Sequence, residues 1–210
     1  MKKIINFFGV AIFTIMFFAS CEINNQTIDS SVVIEATNIE IGDNDIDSVK
    51  AVITTLKLNS DGKSYWVYNE IVSAKFENGG FKLNFPITIP EEYLGSIREI
   101  FKIFSYEGIT VSDMQAKTGW VVISGYNSVG EYVGDFLLRG NEWFVEFEYS
   151  DRSFTEQGNF KSGGEVDCSY NKGLNIIYNI YGGNTKSTTQ KPLNEDFKWY
   201  LATYSIGIAD

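Results

Sequence analysis

Glu146 and Glu148 stand two residues apart in the run Trp143-Phe144-Val145-Glu146-Phe147-Glu148-Tyr149. Side chains at i and i+2 of an extended strand share a face, so both carboxyls point the same way, and paired carboxyls are the machinery of glycoside hydrolysis. The alternation with Val145, Phe147 and Tyr149 also describes a strand with one packed and one solvated face, and that is the reading the sequence favours. The chain has no histidine, which removes Ser-His-Asp and Cys-His catalysis, histidine zinc sites and the commonest neutral-pH general base. Gly79-Gly80 and Gly182-Gly183 fall between expected strands, so neither is a phosphate-cradling loop, which would join a strand to a helix. Asp43, Asp45 and Asp47, with Gly42 and Asn44, have the acidity of a calcium loop but lack its glycine and closing glutamate, and they read as a surface turn. No catalytic residue, metal ligand or cofactor is assigned, and the expectation is a binding protein and not an enzyme.

Two cysteines exist, Cys21 and Cys168. Cys168, between Asp167 and Ser169 in a strand-like run, reads as a packed, idle thiol. Aromatics are the other surplus, with 4 Trp, 12 Tyr and 16 Phe. Trp66, Tyr68, Trp120, Tyr126, Trp143, Tyr178 and Trp199, with Tyr200, are the candidates to line a cavity for an apolar molecule or, where exposed, to stack on sugar rings. The plain alternative is that they fill the core and rim of a sheet.

The elements that must position these residues are short runs rich in Val, Ile, Tyr, Phe and Trp, separated by glycine turns. Strands are expected at 32–36, 49–58 and 65–71, the last two joined by a two-residue turn at Asp61-Gly62. A second hairpin is expected to pair 74–77 with 81–85 across Asn78-Gly79-Gly80, and Pro86 and Pro90 end its second strand. Residues 91–104 break the period: Tyr93, Leu94, Ile97, Ile100, Phe101 and Phe104 recur at three- and four-residue spacing and predict one helix. After a loop at 106–118 the two-residue period returns through Trp120, Tyr132 and Trp143, which predicts an antiparallel meander. Further strands are expected at 153–160, 165–169, 174–181 and 197–204, with a polar loop or frayed edge at 182–189. About nine to eleven short strands, one helix and no fixed-length repeat predict an all-β domain over 31–210, an antiparallel barrel, with a β-sandwich as the alternative.

Residues 1–20 carry Lys2-Lys3, an apolar run of about 15 residues and the small pair Ala19-Ser20, the pattern of a secretory signal and shorter than the ~20 apolar residues a membrane-crossing helix needs. Phe18-Ala19-Ser20-Cys21 resembles the lipobox of bacterial lipoproteins, whose cysteine is acylated and becomes the new N-terminus. Residues 21–30 read as a lipidated tether, and Glu22 in place of aspartate favours the outer membrane. Loss of Lys2 and Lys3 with the leader leaves 15 basic residues against 27 acidic, a formal charge of −12. Such a surface repels nucleic acid. With Cys21 acylated, no intramolecular disulfide is available, and stability must come from the core.

Gly108-Ile109-Thr110-Val111-Ser112-Asp113 with Ala116-Lys117, then Lys172-Gly173-Leu174-Asn175-Ile176-Ile177-Tyr178, and the late Lys198-Trp199-Tyr200, follow that lipobox. Together they resemble small uncharacterised lipoproteins of Bacteroidetes whose calycin-like, lipocalin-type β-barrel members carry a lipid-binding label. The resemblance implies a barrel and a lipid or other apolar ligand, and it brings no catalytic residues. The resulting expectation is a membrane-anchored, non-enzymatic binding module. Its rival is a surface interaction or adhesion protein that binds a glycan or another protein.

Overall fold

The computed structural model describes residues 32–104, 106–160, 163–180 and 185–203. The expected leader 1–20, Cys21 and the tether 21–30 lie outside the described residues, as do residue 181 of the expected strand 174–181 and residues 182–184 of the segment after it. What is described is mostly β, with one short helix. In chain order the elements are β1 (Val32–Ala36), β2 (Ser48–Leu58), β3 (Ser64–Lys75), β4 (Phe81–Phe85), β5 (Gly95–Ser96), α1 (Ile97–Phe104), β6 (Ile109–Val111), β7 (Lys117–Tyr126) and β8 (Tyr132–Arg139). There follow β9 (Phe144–Ser150), β10 (Phe154–Asn159), β11 (Glu165–Tyr170), β12 (Gly173–Ile180), β13 (Lys186–Thr188) and β14 (Lys198–Ala202).

The large sheet runs β3-β2-β7-β8-β9-β12-β13-β11-β10-β6, with β14 beside β8 and β5 beside β7. Strand β7 changes partner along its length: Thr118–Val121 pair with β9 and Ser124–Tyr126 with β8. Strand β14 lies along the other edge of β8, from Arg139↔Lys198 to Asp135↔Ala202, so Asp135 is paired with β7 and β14 at once. The two backbones crowd at Gly134, where an added Cβ would lie 2.4 Å from the Ala202 carbonyl oxygen, so a side chain there would displace β14. Among the described residues no pairing joins β3 to β6, the two ends of the path.

Both faces of this sheet are covered, and the two-residue period decides what goes where. Val49, Ala51 and Ile53 of β2, Val121 and Ile123 of β7, and Phe147 of β9 pack into the larger core. A separate two-stranded ribbon closes it: β1 pairs antiparallel with β4, Ile34 opposite Leu83, and both are fully buried. The alternate residues face a second, smaller core on α1, β10, β11 and β12, built around Ile97, Phe154, Val166, Cys168, Tyr170 and Ile177.

Several expectations need correction. The tight turn at Asn78 and Gly79 forms, with φ of 54° and 71° and reciprocal backbone bonds between Glu77 and Gly80. The hairpin goes no further, because β4 leaves to pair with β1 while residues 64–75 form one long strand beside β2. The link between β2 and β3 spans residues 59–63 and not two: the Asn59 carboxamide oxygen accepts from the Asp61 and Lys63 amides, and Gly62 takes φ 76°. The helix begins only at Ile97. Ahead of it Glu91–Tyr93 make a 3₁₀ turn, and Gly95 is held in β5 so close to β2 that a Cβ would meet the Thr55 hydroxyl at 2.1 Å. Residues 109–111, expected in a loop, are strand β6, and residues 186–188, expected in a loop or frayed edge, are strand β13.

Candidate functional site

Between strands β2, β7 and β9 and the smaller core lies a cavity of about 1160 Å³. Its walls are alternate residues of β2 and β3, consecutive stretches of β7 and β9, part of β8 from Tyr132 to Leu137, residues of β10, β11 and β12, and Ile97, Ile100 and Phe101 of α1. Four of the sequence candidates meet at it: Trp66 and Tyr68 from β3, Trp120 and Tyr126 from β7. The Trp66 and Trp120 rings lie 5.6 Å apart, tilted by 55°. Trp66 and Tyr68 are partly open to solvent, at 38% and 50% exposure. Lys50 bonds Glu70 at 2.8 Å, and its amine sits 4.9 Å from the centre of the Tyr126 ring. Nearby, Ser124 donates to Asp135 at 2.7 Å.

The other three candidates are elsewhere. Tyr178 is buried in the larger core against Phe197, at 5.4 Å. Trp199 packs between Phe81, at 5.5 Å, and Phe147, at 6.0 Å. Trp143 precedes β9 and packs against the same core. Tyr200, also considered, is half exposed. Trp143, Tyr178 and Trp199 lie on the ribbon side, because the period places them opposite to Glu148 and Ile177, while Tyr200, paired with Leu137, points to the other face of β14.

The carboxyls form the other end of the cavity, where the expectation of a solvated face is overturned. Glu148 is 7% exposed, while Glu146 is partly buried and accepts from the Asn179 amide at 3.0 Å. The sheet curls so that β10 and β11 come over β9, and what reads as an outer face becomes an inner wall. Glu156 of β10 joins them, and the Tyr170 hydroxyl donates to its Oε2 at 3.3 Å. Burial is the chief reason that the Glu148 carboxyl is pushed up to about 8, with the Glu156 charge adding to it and hydrogen bonds from Thr118 and Tyr170 opposing it. Burial likewise raises Glu156 to about 7. Tyr170 is held well above its ordinary value by burial and by the charges of Glu148 and Glu156, and Tyr106 is pushed up to about 12 by burial first. Among the described residues no Lys or Arg forms an ion pair with Glu148 or Glu156.

Sequence reasoning missed Glu156 and Tyr170. The signal was faint: Phe154 and Tyr170 stack at 4.2 Å, but Glu156 lies in a six-residue strand with Gly158 and three other polar residues. Cys168 is 1% exposed on the cavity wall, and burial pushes its thiol up to about 12. A thiol attacks as the thiolate, so this one is inert in the folded protein. Ellman's reagent should leave Cys168 unmodified in the native chain and titrate it fully in denaturant. Reaction within minutes under native conditions would place the thiol at the surface and refute this packing.

Arranged this way, the site offers an aromatic and aliphatic mouth and a deep, hydrogen-bonded acidic end. No family model matches the chain, and comparison with curated proteins and with solved structures finds no match.

Proposed function

We propose that the chain is a cell-envelope lipoprotein: exported by residues 1–20, cleaved before Cys21, held at the outer membrane by acyl chains on that cysteine, and using a barrel-like curl of its sheet to bind a small apolar or amphipathic molecule. The observation that carries the binding reading is the cavity itself, about 1160 Å³, large enough for a lipid-sized molecule and faced by Trp66, Tyr68 and Trp120. Sites of this kind are concave, mostly apolar, and carry a few convergent polar groups.

A non-enzymatic role accords with the same site. Carboxylate-driven glycoside cleavage needs one protonated acid beside one ionised partner. Burial raises both Glu148 and Glu156 well above the ordinary carboxylate range, and such cleavage requires one of them to stay ionised. Native mass spectrometry of the protein extracted from its source should show an added small-molecule mass, and a fluorescent fatty-acid analogue should be displaced by competing apolar ligands. A clean apo mass together with no dye binding would sink the reading.

The adhesion reading has one observation in its favour. Edge strand β3 leaves Tyr65 and Tyr68 about half exposed beside Trp66. A glycan array decides it, since stacking on sugars at β3 should vanish in Tyr65→Ala while the cavity ligand, which Tyr65 does not touch, is retained.

A further inference from the structure

Resting on the reading of the cavity as a ligand site, we infer that its ligand is an amphipathic organic cation, an amine carried on an apolar body, with the amine seated between Glu148 and Glu156. The first observation is the charge of the wall. Among the described residues that line the cavity, the ionisable acids are Glu70, Asp135, Glu146, Glu148 and Glu156, and the one base is Lys50. That lysine is already engaged by Glu70 at 2.8 Å, near the mouth. An anionic headgroup would meet repulsion at the deep end, and a neutral one would leave the carboxyls without a countercharge.

Geometry is the second observation. Glu148 lies directly opposite Trp120 across the β7–β9 pairing, and Trp120 lies opposite Thr54 across β7–β2. Directly opposed side chains on one face of a sheet are neighbours. A cation at Glu148 therefore rests beside the Trp120 indole, and aromatic rings attract positive charge. Val52, Val122, Ile100 and Phe101 then surround an apolar body that extends from there toward Trp66.

Buried carboxyls are the third. A carboxyl removed from water without a countercharge resists ionisation, and an arriving ammonium supplies that countercharge. The ionisable groups that face one another here are Glu146 and Glu148 on β9, Glu156 on β10, Cys168 and Tyr170 on β11, and Tyr106 ahead of β6. With the Glu148 and Glu156 carboxyls near 8 and 7 in the empty cavity, seating a cation favours their ionised forms and releases protons near neutral pH.

The test compares n-octylamine, n-octanol and n-octanoate, which share one chain length and differ in headgroup charge, by calorimetry and tryptophan fluorescence on the full chain near pH 7. Octylamine should bind about tenfold or more tighter than either competitor, a preference on the scale of one well-placed charge contact. Calorimetry in two buffers of different ionisation enthalpy should show protons released on amine binding and none with octanol. Glu148→Gln should weaken octylamine by about tenfold and leave octanol within about twofold. Glu156→Gln is the second variant, with the same expectation, should the first not fold. If octanol or octanoate binds as tightly as the amine, or if the variants leave the preference unchanged, the cation inference is wrong while the cavity reading survives. If none of the three binds, both are wrong.

Discussion

The thermal midpoint of the ligand-free protein should fall as pH rises from about 5 to about 9. The cause is the pair of carboxyls at the deep end of the cavity. Glu148 is raised from 4.5 to about 8 and Glu156 from 4.5 to about 7. Between the unfolded and folded values the native state holds more protons than the unfolded chain, so stability declines with pH. The stabilisation is fully present below about 4.5 and is lost as pH climbs through 7 and 8. Most surface carboxylates act in the opposite sense, which makes the direction diagnostic. For Glu148, 7% exposed, the swing is on the order of 4 kcal/mol at ~1.4 kcal/mol per pKa unit. That corresponds to about 10 °C in a domain of this size, at roughly 2–4 °C per kcal/mol. Glu148→Gln, which keeps the shape and cannot ionise, should raise the midpoint at pH 9 and flatten the profile. A variant profile parallel to that of the wild type would mean that Glu148 is solvated, and the curled wall over β9 would have to be abandoned.

Phe85→Ala should be among the most damaging single truncations in the larger core. Among the described residues, Phe85 is the largest side chain that the fold buries almost completely, at 1% exposure. It ends β4, opposite Val32, and the chain just after it is pinned to β9 by the Tyr149 hydroxyl, which donates to the Ile87 carbonyl at 3.0 Å. Removing a buried phenyl ring costs about 3–5 kcal/mol in transfer and cavity terms, a fall of about 6–20 °C in the midpoint. Lys82 is the internal control, on the same strand and on its outer face, with Glu35 at 3.8 Å as an exposed partner. Exposed pairs contribute about 0–1 kcal/mol, so Lys82→Ala should move the midpoint by no more than a few degrees. Equal losses at the two positions would show that the β1–β4 ribbon does not seal the core as described.

The ribbon also shows how far the sequence could be read. Phe81, Leu83 and Phe85 alternate with Lys82 and Asn84, and the structure buries the first three as that alternation requires. Period two says which side chains share a face; it does not say which strand lies alongside. The turn at Asn78-Gly79 suggested the sequential neighbour, but β1 offered an apolar face of its own, Ile34 and Ala36, and residues 64–75 were already committed to β2. The same limit governs the site. Trp120 and Tyr126 share a face of β7, as their spacing demands, and so do Glu146 and Glu148 on β9. Whether that face meets water depends on the distant strands β10 and β11 curling over it, a tertiary fact with no local signature. Trp143, Tyr178 and Trp199 were indistinguishable by type from Trp66 and Trp120, and parity along their strands, once the face of Glu148 is known, is what separates them. One cue did exist: Glu148 is flanked by Phe147 and Tyr149 within a run so apolar that both its faces could be buried.

Strand β7 takes its neighbour β2 from far back along the chain. Its Trp120 accepts a bond from Thr54, 66 residues earlier, while β14 reaches β8 only at the far end of the described chain. Loops of that length must close before the pairings reward them, so folding belongs in the slow regime of all-β topologies, milliseconds to seconds, not that of local hairpins. The middle of β7, bordered on both edges, is where backbone amides should exchange with deuterium last, and the edge strand β3 is where they should exchange early.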